Sequence, residues 1–211
     1  GTLSGIRGTL FNLISVKEQY QTAIETALGN AIQDIVTDTE NDAKKAINML
    51  KSSHGGRATF LPLNAIKGRI LEEDGLDDHY GFIDLAYRLV DADEKYTEVI
   101  KSLLGRIAVC EDLDCAVFIA KKYSYKFKIV TLDGQVVNAG GSMTGGAKLQ
   151  NAGILSRGNE LERLKAECDD VAEKLALLTK ELQSQQENCS AVTAELEGCK
   201  AEITALAEDR I

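Results

Sequence analysis

The sequence predicts an α+β fold, with two similar α/β halves followed by one long coiled-coil helix. Three observations carry that expectation. An order of helix, glycine, strand, helix and strand runs twice between residues 16 and 132, and an apolar heptad continues unbroken from Leu161 to the end. Between them lies Asp-Gly-Gln-Val-Val-Asn-Ala-Gly-Gly-Ser-Met-Thr-Gly-Gly, residues 133–146, which is rich in glycine. The expected boundaries are a first half at 1–63, a connector at 64–82, a second half at 83–156 that includes the glycine-rich segment, and an arm helix at 157–211.

In the first half, Gly1, Gly5 and Gly8 spaced among Leu3, Ile6, Leu10 and Leu13 indicate an extended or turning opening segment. From Val16 the residues Tyr20, Ile24, Ala27 and Leu28 fall at helical spacing, and Gly29 follows as a stop. Residues 31–36 read as a short strand. Thr39 and Asp42 then stand at capping-box spacing before a helix carrying Ala43, Ala46, Ile47 and Leu50, which Gly55-Gly56 ends. A strand over 58–61 is halted by Pro62, the single proline. The connector is acidic, with Glu72-Glu73-Asp74 and Asp77-Asp78, but it lacks the ligand pattern of a calcium loop and reads as solvated.

The pattern then returns. Tyr96, Val99, Ile100, Leu103 and Leu104 predict a helix stopped by Gly105, residues 107–110 a strand, Asp112 the cap of a helix bearing Ala116, Ile119 and Ala120, and residues 127–132 a strand. Leu28-Gly29 matches Leu104-Gly105 in this order, and Phe60-Leu-Pro-Leu63 matches Ile129-Val-Thr-Leu132. Each half is too small to bury a generous core alone. Asp133-Gly134 between 128–132 and 135–138 is a hairpin signal, read as a type I′ turn.

The arm keeps one spacing: Leu161, Leu164, Cys168, Val171, Leu175, Leu178, Leu182, Gln185, Cys189, Val192, Leu196, Cys199, Ile203, Leu206 and Arg210. Such regularity marks a coiled coil. Its seam needs a partner, because each exposed leucine forgoes roughly 1.5–3 kcal/mol of burial. No second heptad segment exists in the sequence, so the partner is another copy or a helix preceding Gly1 in a parent chain. The seam cysteines Cys168, Cys189 and Cys199 serve as small apolar residues.

Composition narrows the function. The net charge of −9 is concentrated in the arm, where from Asn159 onward 6 Lys and Arg face 13 Asp and Glu, so the body is nearly neutral. Five cysteines without a Cys-x-x-Cys spacing argue against a disulfide framework or zinc site and suit a reducing cytoplasm. His54 and His79, both in polar loops, assemble neither a metal cluster nor a catalytic triad. No apolar run approaches the roughly 20 residues of a membrane span, and no signal-peptide pattern precedes the body. The start at Gly1 without an initiator Met reads as that of an excised piece.

The glycine run resembles a phosphate loop only superficially. That loop places Lys directly after the second glycine and then a hydroxyl, whereas here Ala147 displaces the lysine and Leu149 replaces the hydroxyl. A free linker would be Ser-rich and polar, but Met143 and Thr144 interrupt this run just after a strand. A glycine-rich edge approached by another backbone suits it better, since absent side chains let two chains pair closely.

Several motifs together carry a family resemblance: Gly5-Ile-Arg-Gly-Thr-Leu-Phe-Asn-Leu-Ile14, Tyr20-Gln-Thr-Ala-Ile-Glu-Thr-Ala-Leu-Gly29, Gly56-Arg-Ala-Thr-Phe-Leu-Pro-Leu63, Leu104-Gly105, Thr131-Leu-Asp-Gly134 and Gly140-Gly-Ser-Met-Thr-Gly-Gly146. In this order, ahead of a heptad helix, they resemble the hinge domain of bacterial SMC (structural maintenance of chromosomes) proteins with the start of the coiled-coil arm. The resemblance implies two similar subdomains with mixed sheets that homodimerise into a ring-like body, sheets continuing across the subunit contacts. It places Gly140, Gly141, Ser142, Thr144, Gly145 and Gly146 at the dimer contact, and the seam residues Leu161, Leu164, Val171, Leu175, Leu178, Leu182, Val192, Leu196, Ile203 and Leu206 against an antiparallel helix from the N-terminal side of the parent chain.

It further implies a cytoplasmic, nucleoid-associated parent with ATPase activity in distant heads, so that this piece is no enzyme and needs no cofactor, metal or membrane. Two departures stand out: Ala139 where the family commonly has Pro, and few lysines after the glycines. A DNA-binding surface is the alternative role, with Lys121, Lys122, Lys126, Lys128, Lys148 and Arg157 as its candidates, although positions 126 and 128 also suit the wet face of a strand. A small-ligand α/β enzyme using the glycine loop is a lesser alternative.

Overall fold

The computed structural model of the chain describes residues 4–146 and 154–208. Its body is built twice from one plan. The first half runs β1 (Ile6–Thr9), α1 (Leu10–Leu13), β2 (Ile14–Val16), α2 (Gln21–Leu28), β3 (Ile35–Thr37), α3 (Glu40–Ser52) and β4 (Phe60–Pro62). The second runs β5 (Phe82–Leu85), a 3₁₀ turn at Ala86–Leu89 in the place of α1, β6 (Val90–Ala92), α4 (Thr97–Leu104), β7 (Ile107–Cys110), α5 (Leu113–Lys122) and β8 (Lys128–Thr131). β9 (Val136–Val137) and β10 (Met143–Thr144) extend the second half, and α6 (Ile154–Glu208) is the arm.

The duplication begins earlier than the helix-to-strand pattern suggests. Gly5, Leu13, Glu18, Tyr20, Ile24, Leu28 and Gly29 repeat without a gap as Gly81, Leu89, Glu94, Tyr96, Ile100, Leu104 and Gly105. Each opening strand runs antiparallel to its neighbour with a register shift at the same place, between Ile6 and Gly8 and between Phe82 and Asp84. β3 and β4 pair in parallel across α3, as do β7 and β8 across α5. Even the caps correspond: the side chains of Thr39 and Asp112 accept from the backbone N–H groups of Asp42 and Cys115.

Several local expectations change. Val16 closes a strand, so after a 3₁₀ turn at Glu18–Tyr20 the helix begins at Gln21. The strand expected over 31–36 is displaced to Ile35–Thr37 by a 3₁₀ turn at Gly29–Gln33. His54, not a glycine, takes the left-handed position after α3 at φ 53°, while the Gly55 N–H returns to the Leu50 carbonyl at 2.9 Å. The hairpin after β8 is not type I′. Val130 faces Val136, the Gly134 N–H donates to the Thr131 carbonyl at 2.9 Å, and Gly134 has φ 86°. This is the geometry of a three-residue loop closing on a left-handed glycine.

The two halves share a core. β2 and β6 pair antiparallel, Ser15 opposite Asp91, and bring the halves together. One continuous apolar cluster takes Leu10, Ile24, Leu28 and Val36 from the first half and Val99, Ile100, Leu104, Val109 and Val130 from the second. The five-stranded sheet, in order β10-β9-β8-β7-β5, sends alternate residues to that core and to a second cluster under α5, where Ala108, Cys110, Ile129 and Val137 meet Ala116 and Ile119. Residues 64–81 hold no strand or helix, and β5 begins at Phe82, the last residue given to the connector; Leu71 and Leu76 are buried in this second cluster. The three-stranded sheet has the order β1-β3-β4.

One shared core predicts one unfolding transition for the body. Ile24 is fully buried, so Ile24→Ala should cost about 2–5 kcal/mol. In calorimetry the whole body transition should move to lower temperature. Two separate transitions would show that each half holds a core of its own.

Candidate functional site

The glycine run folds as a hairpin tip and edge strand. The Asn138 N–H donates to the Ser142 carbonyl at 2.8 Å, the Gly141 N–H to the Asn138 carbonyl at 3.0 Å, and the Gly140 N–H to the Tyr125 carbonyl at 2.9 Å. The Tyr125 ring lies beneath Gly141. β10 then pairs with β9, Met143 opposite Val137 and Thr144 opposite Val136.

Antiparallel pairing alternates the direction in which backbone groups point. Because Ser142 faces β9, Thr144 and Gly146 also face inward, and Met143 and Gly145 turn their N–H and carbonyl groups to the open side. Residues 142–146 are all exposed. An edge of this kind, carrying small residues and no charge, lacks the usual protection against pairing.

A second open edge lies on β4. The Ile35 N–H donates to the Thr59 carbonyl and the Leu63 N–H to the Thr37 carbonyl, both at 2.9 Å, so residues 59, 61 and 63 face β3. Phe60 and Pro62 therefore face outward. Phe60 presents a donor and an acceptor there, while Pro62 has no N–H to leave unpaired and its carbonyl accepts from the Ala65 and Ile66 N–H groups at 3.2 and 3.1 Å, which explains how a proline is accommodated in this strand. In the duplicated plan β4 corresponds to β8. β8 has β9 on its outer side, whereas β4 ends its sheet.

Gln135 is the site residue that sequence reasoning missed. Its carboxamide accepts from the Gly146 N–H at 2.9 Å and donates to the Gly146 carbonyl at 3.2 Å. Gln135 Nε2 also lies 3.3 Å from Asp133 Oδ2, and the Asp133 carboxylate in turn accepts from the hydroxyl of buried Thr131. A side chain placed on Gly145 would collide with the Gln135 carboxamide. Only a turn closing at Gly134 brings residue 135 beneath residue 146, and that turn was read differently from sequence.

The four basic candidates that lie in the described body differ in their surroundings. Lys121 and Lys122 are exposed in the last turn of α5, and Lys126 is exposed but lies 3.3 Å from Glu73. Lys128 is half-buried and donates to the last carbonyls of α2, Thr26 at 3.4 Å and Ala27 at 3.1 Å. It ties the halves together as a helix C-cap. Lys148 lies outside the described residues, as does the side chain of Arg157. Among the described residues no group of three or more His, Cys, Asp or Glu is placed to hold a metal, and no helix is long and apolar enough to cross a membrane.

Along α6 the seam residues Leu161, Leu164, Val171, Leu175, Leu178, Leu182, Val192, Leu196 and Ile203 are exposed, while the side chain of Leu206 lies outside the described set. Cys168, Cys189 and Cys199 are exposed as well. Cys110 differs: burial pushes its thiol up to about 12, which leaves it unreactive.

The profile of the family described as SMC proteins flexible hinge domain matches residues 3–120. The chromosome partition protein Smc of Bacillus subtilis is 46% identical over 186 residues, covering 86% of this chain and 16% of that protein. The chain thus spans a small part of the length of this relative. Among solved structures, an asymmetric dimer of the Geobacillus stearothermophilus SMC hinge domain superposes with a TM-score of 0.73 at 44% identity, covering 89% of this chain and 77% of that one. The Pyrococcus furiosus SMC hinge domain gives 0.58 at 34% identity, covering 69% and 74%.

Lys128 carries a pH prediction. Burial lowers its pKa below the ordinary lysine value of 10.5, so the unfolded chain holds this proton to higher pH than the folded chain. Stability contributed at this position should therefore rise as pH climbs toward 10.5. Urea denaturation of wild type and Lys128→Met across that range should show the rise in wild type and its loss in the variant.

Proposed function

The chain belongs to the SMC flexible hinge family, and we propose that it joins two coiled-coil arms by homodimerisation, the β10 edge of each copy adding to the β4 edge of the other. The observation that carries this reading is the mismatch between the duplicated halves: β8 is extended by β9 and β10, while the equivalent β4 ends its sheet. Met143 and Gly145 on one open edge complement Phe60 on the other. A twofold axis would form the contact twice and join a three-stranded sheet to a five-stranded sheet each time. In this assembly Gly140, Gly141 and Ser142 form the tip of the contact, and Thr144, Gly145 and Gly146 its strand.

The exposed seam of α6 supports the second element of the proposal, an arm that pairs with an antiparallel helix from the N-terminal side of the parent chain. The parent is a chromosome-organising ATPase whose nucleotide chemistry lies elsewhere, and this piece contributes linkage to it. The relatives' names as chromosome partition proteins support the chromosome-organising role.

Sedimentation tests the contact. The full chain and a form ending at Ser156 should both dimerise at micromolar concentration, and Gly145→Glu/Gly146→Glu should render the shorter form monomeric. Retention of the dimer in that variant would refute the edge assignment. Thiol labelling tests the arm: Cys168, Cys189 and Cys199 should react rapidly in the native chain and become protected when the N-terminal-side arm helix is restored. Unchanged labelling would separate the seam from arm pairing.

A further inference from the structure

We propose that Gln135 is a positioning residue that holds the glycine run extended for its partner, acting as a surrogate strand through the two hydrogen bonds between its carboxamide and Gly146. The inference rests on the edge-pairing reading above and adds a residue that reading does not require.

The register shows why a surrogate is needed. Continuing the β9–β10 ladder beyond Thr144 would place Gly146 opposite Gly134. Gly134 cannot serve, because its N–H already donates to the Thr131 carbonyl and its backbone is left-handed at φ 86°. Gly146 would therefore leave the sheet with its inward N–H and carbonyl unpaired. A primary amide presents one donor and one acceptor in nearly the arrangement of a peptide group. Gln135 uses both on Gly146.

The carboxamide is itself positioned. Gln135 donates its own backbone N–H to Thr131 Oγ1 at 2.8 Å, and its Nε2 lies 3.3 Å from Asp133 Oδ2. Thr131 is fully buried, so this chain of contacts is anchored in the core. Gly145 fits the same device, because any side chain there would displace the carboxamide. With Gly146 held inward, Gly145 must turn its N–H and carbonyl outward, where the partner strand meets them. Ordering this segment before association reduces the entropy lost on binding.

Sedimentation of the full chain over a dilution series tests the inference, with Gly145→Glu/Gly146→Glu defining any association contributed by the arm alone. Gln135→Leu keeps the bulk and removes both bonds, and should weaken dimerisation about tenfold, equivalent to about 1.4 kcal/mol, without moving the thermal transition of the body. Gln135→Glu retains the acceptor for the Gly146 N–H and should fall between. Amide exchange at Gly146, read at a dilution where the chain is monomeric, should quicken in Gln135→Leu. An unchanged dimer in Gln135→Leu, with the glycine variant still disrupted, would overturn this role and leave edge pairing standing. A glycine variant that, in the form ending at Ser156, dimerises as well as wild type would overturn edge pairing, and this inference with it. Unchanged exchange at Gly146 would also overturn it.

Discussion

The body depends on one apolar core that neither half can complete by itself. α2 and α4 both bury their apolar faces in it, Ile24 and Leu28 from one half with Ile100 and Leu104 from the other. The β2–β6 ribbon joins the halves on either side of their matching register, and Lys128 reaches from β8 to the end of α2. A duplicated pair of small units thereby gains the burial of a larger domain. The arrangement sets where the two sheets end, because each sheet has one face committed to the shared core.

Those sheet ends are where the duplication fails. In the second half the outer side of the parallel pair receives β9 and then β10; in the first half it stops at β4. Backbone groups left at an edge are satisfied by water or by another chain, and an edge of small uncharged residues favours the latter. The arm has the same character at a different scale, since its exposed leucines also require a covering surface. Two surfaces are thus left unfinished, one of backbone polar groups and one of apolar side chains.

Legibility followed the range of the interactions. Thr39 and Asp112 were readable as helix caps because capping involves residues three apart, and the arm was readable because heptad spacing is local. An extended or turning opening was legible in the first half, but the strand pairing of either opening segment was not: a four-residue strand with a register shift carries no clean alternation, and its partner lies roughly thirty residues away. The acidic connector looked wholly solvated, yet Leu71 and Leu76 enter a core formed mostly by α5 and the second sheet. Lys128 looked available to a ligand because strand alternation cannot reveal that α2 ends above it.

The glycine run shows the same division most sharply. Local chemistry in the sequence was enough to exclude a phosphate loop, predict a hairpin after β8, indicate a close-approach edge and establish the continuous seam of the arm. Only the tertiary structure decided that the turn has three residues, that Gln135 consequently lies beneath Gly146, and that Met143 and Gly145 turn outward. The reason is geometric. Residue type and spacing specify what a short segment can do, but the direction of a strand's unpaired groups depends on register, and register is settled by the whole sheet.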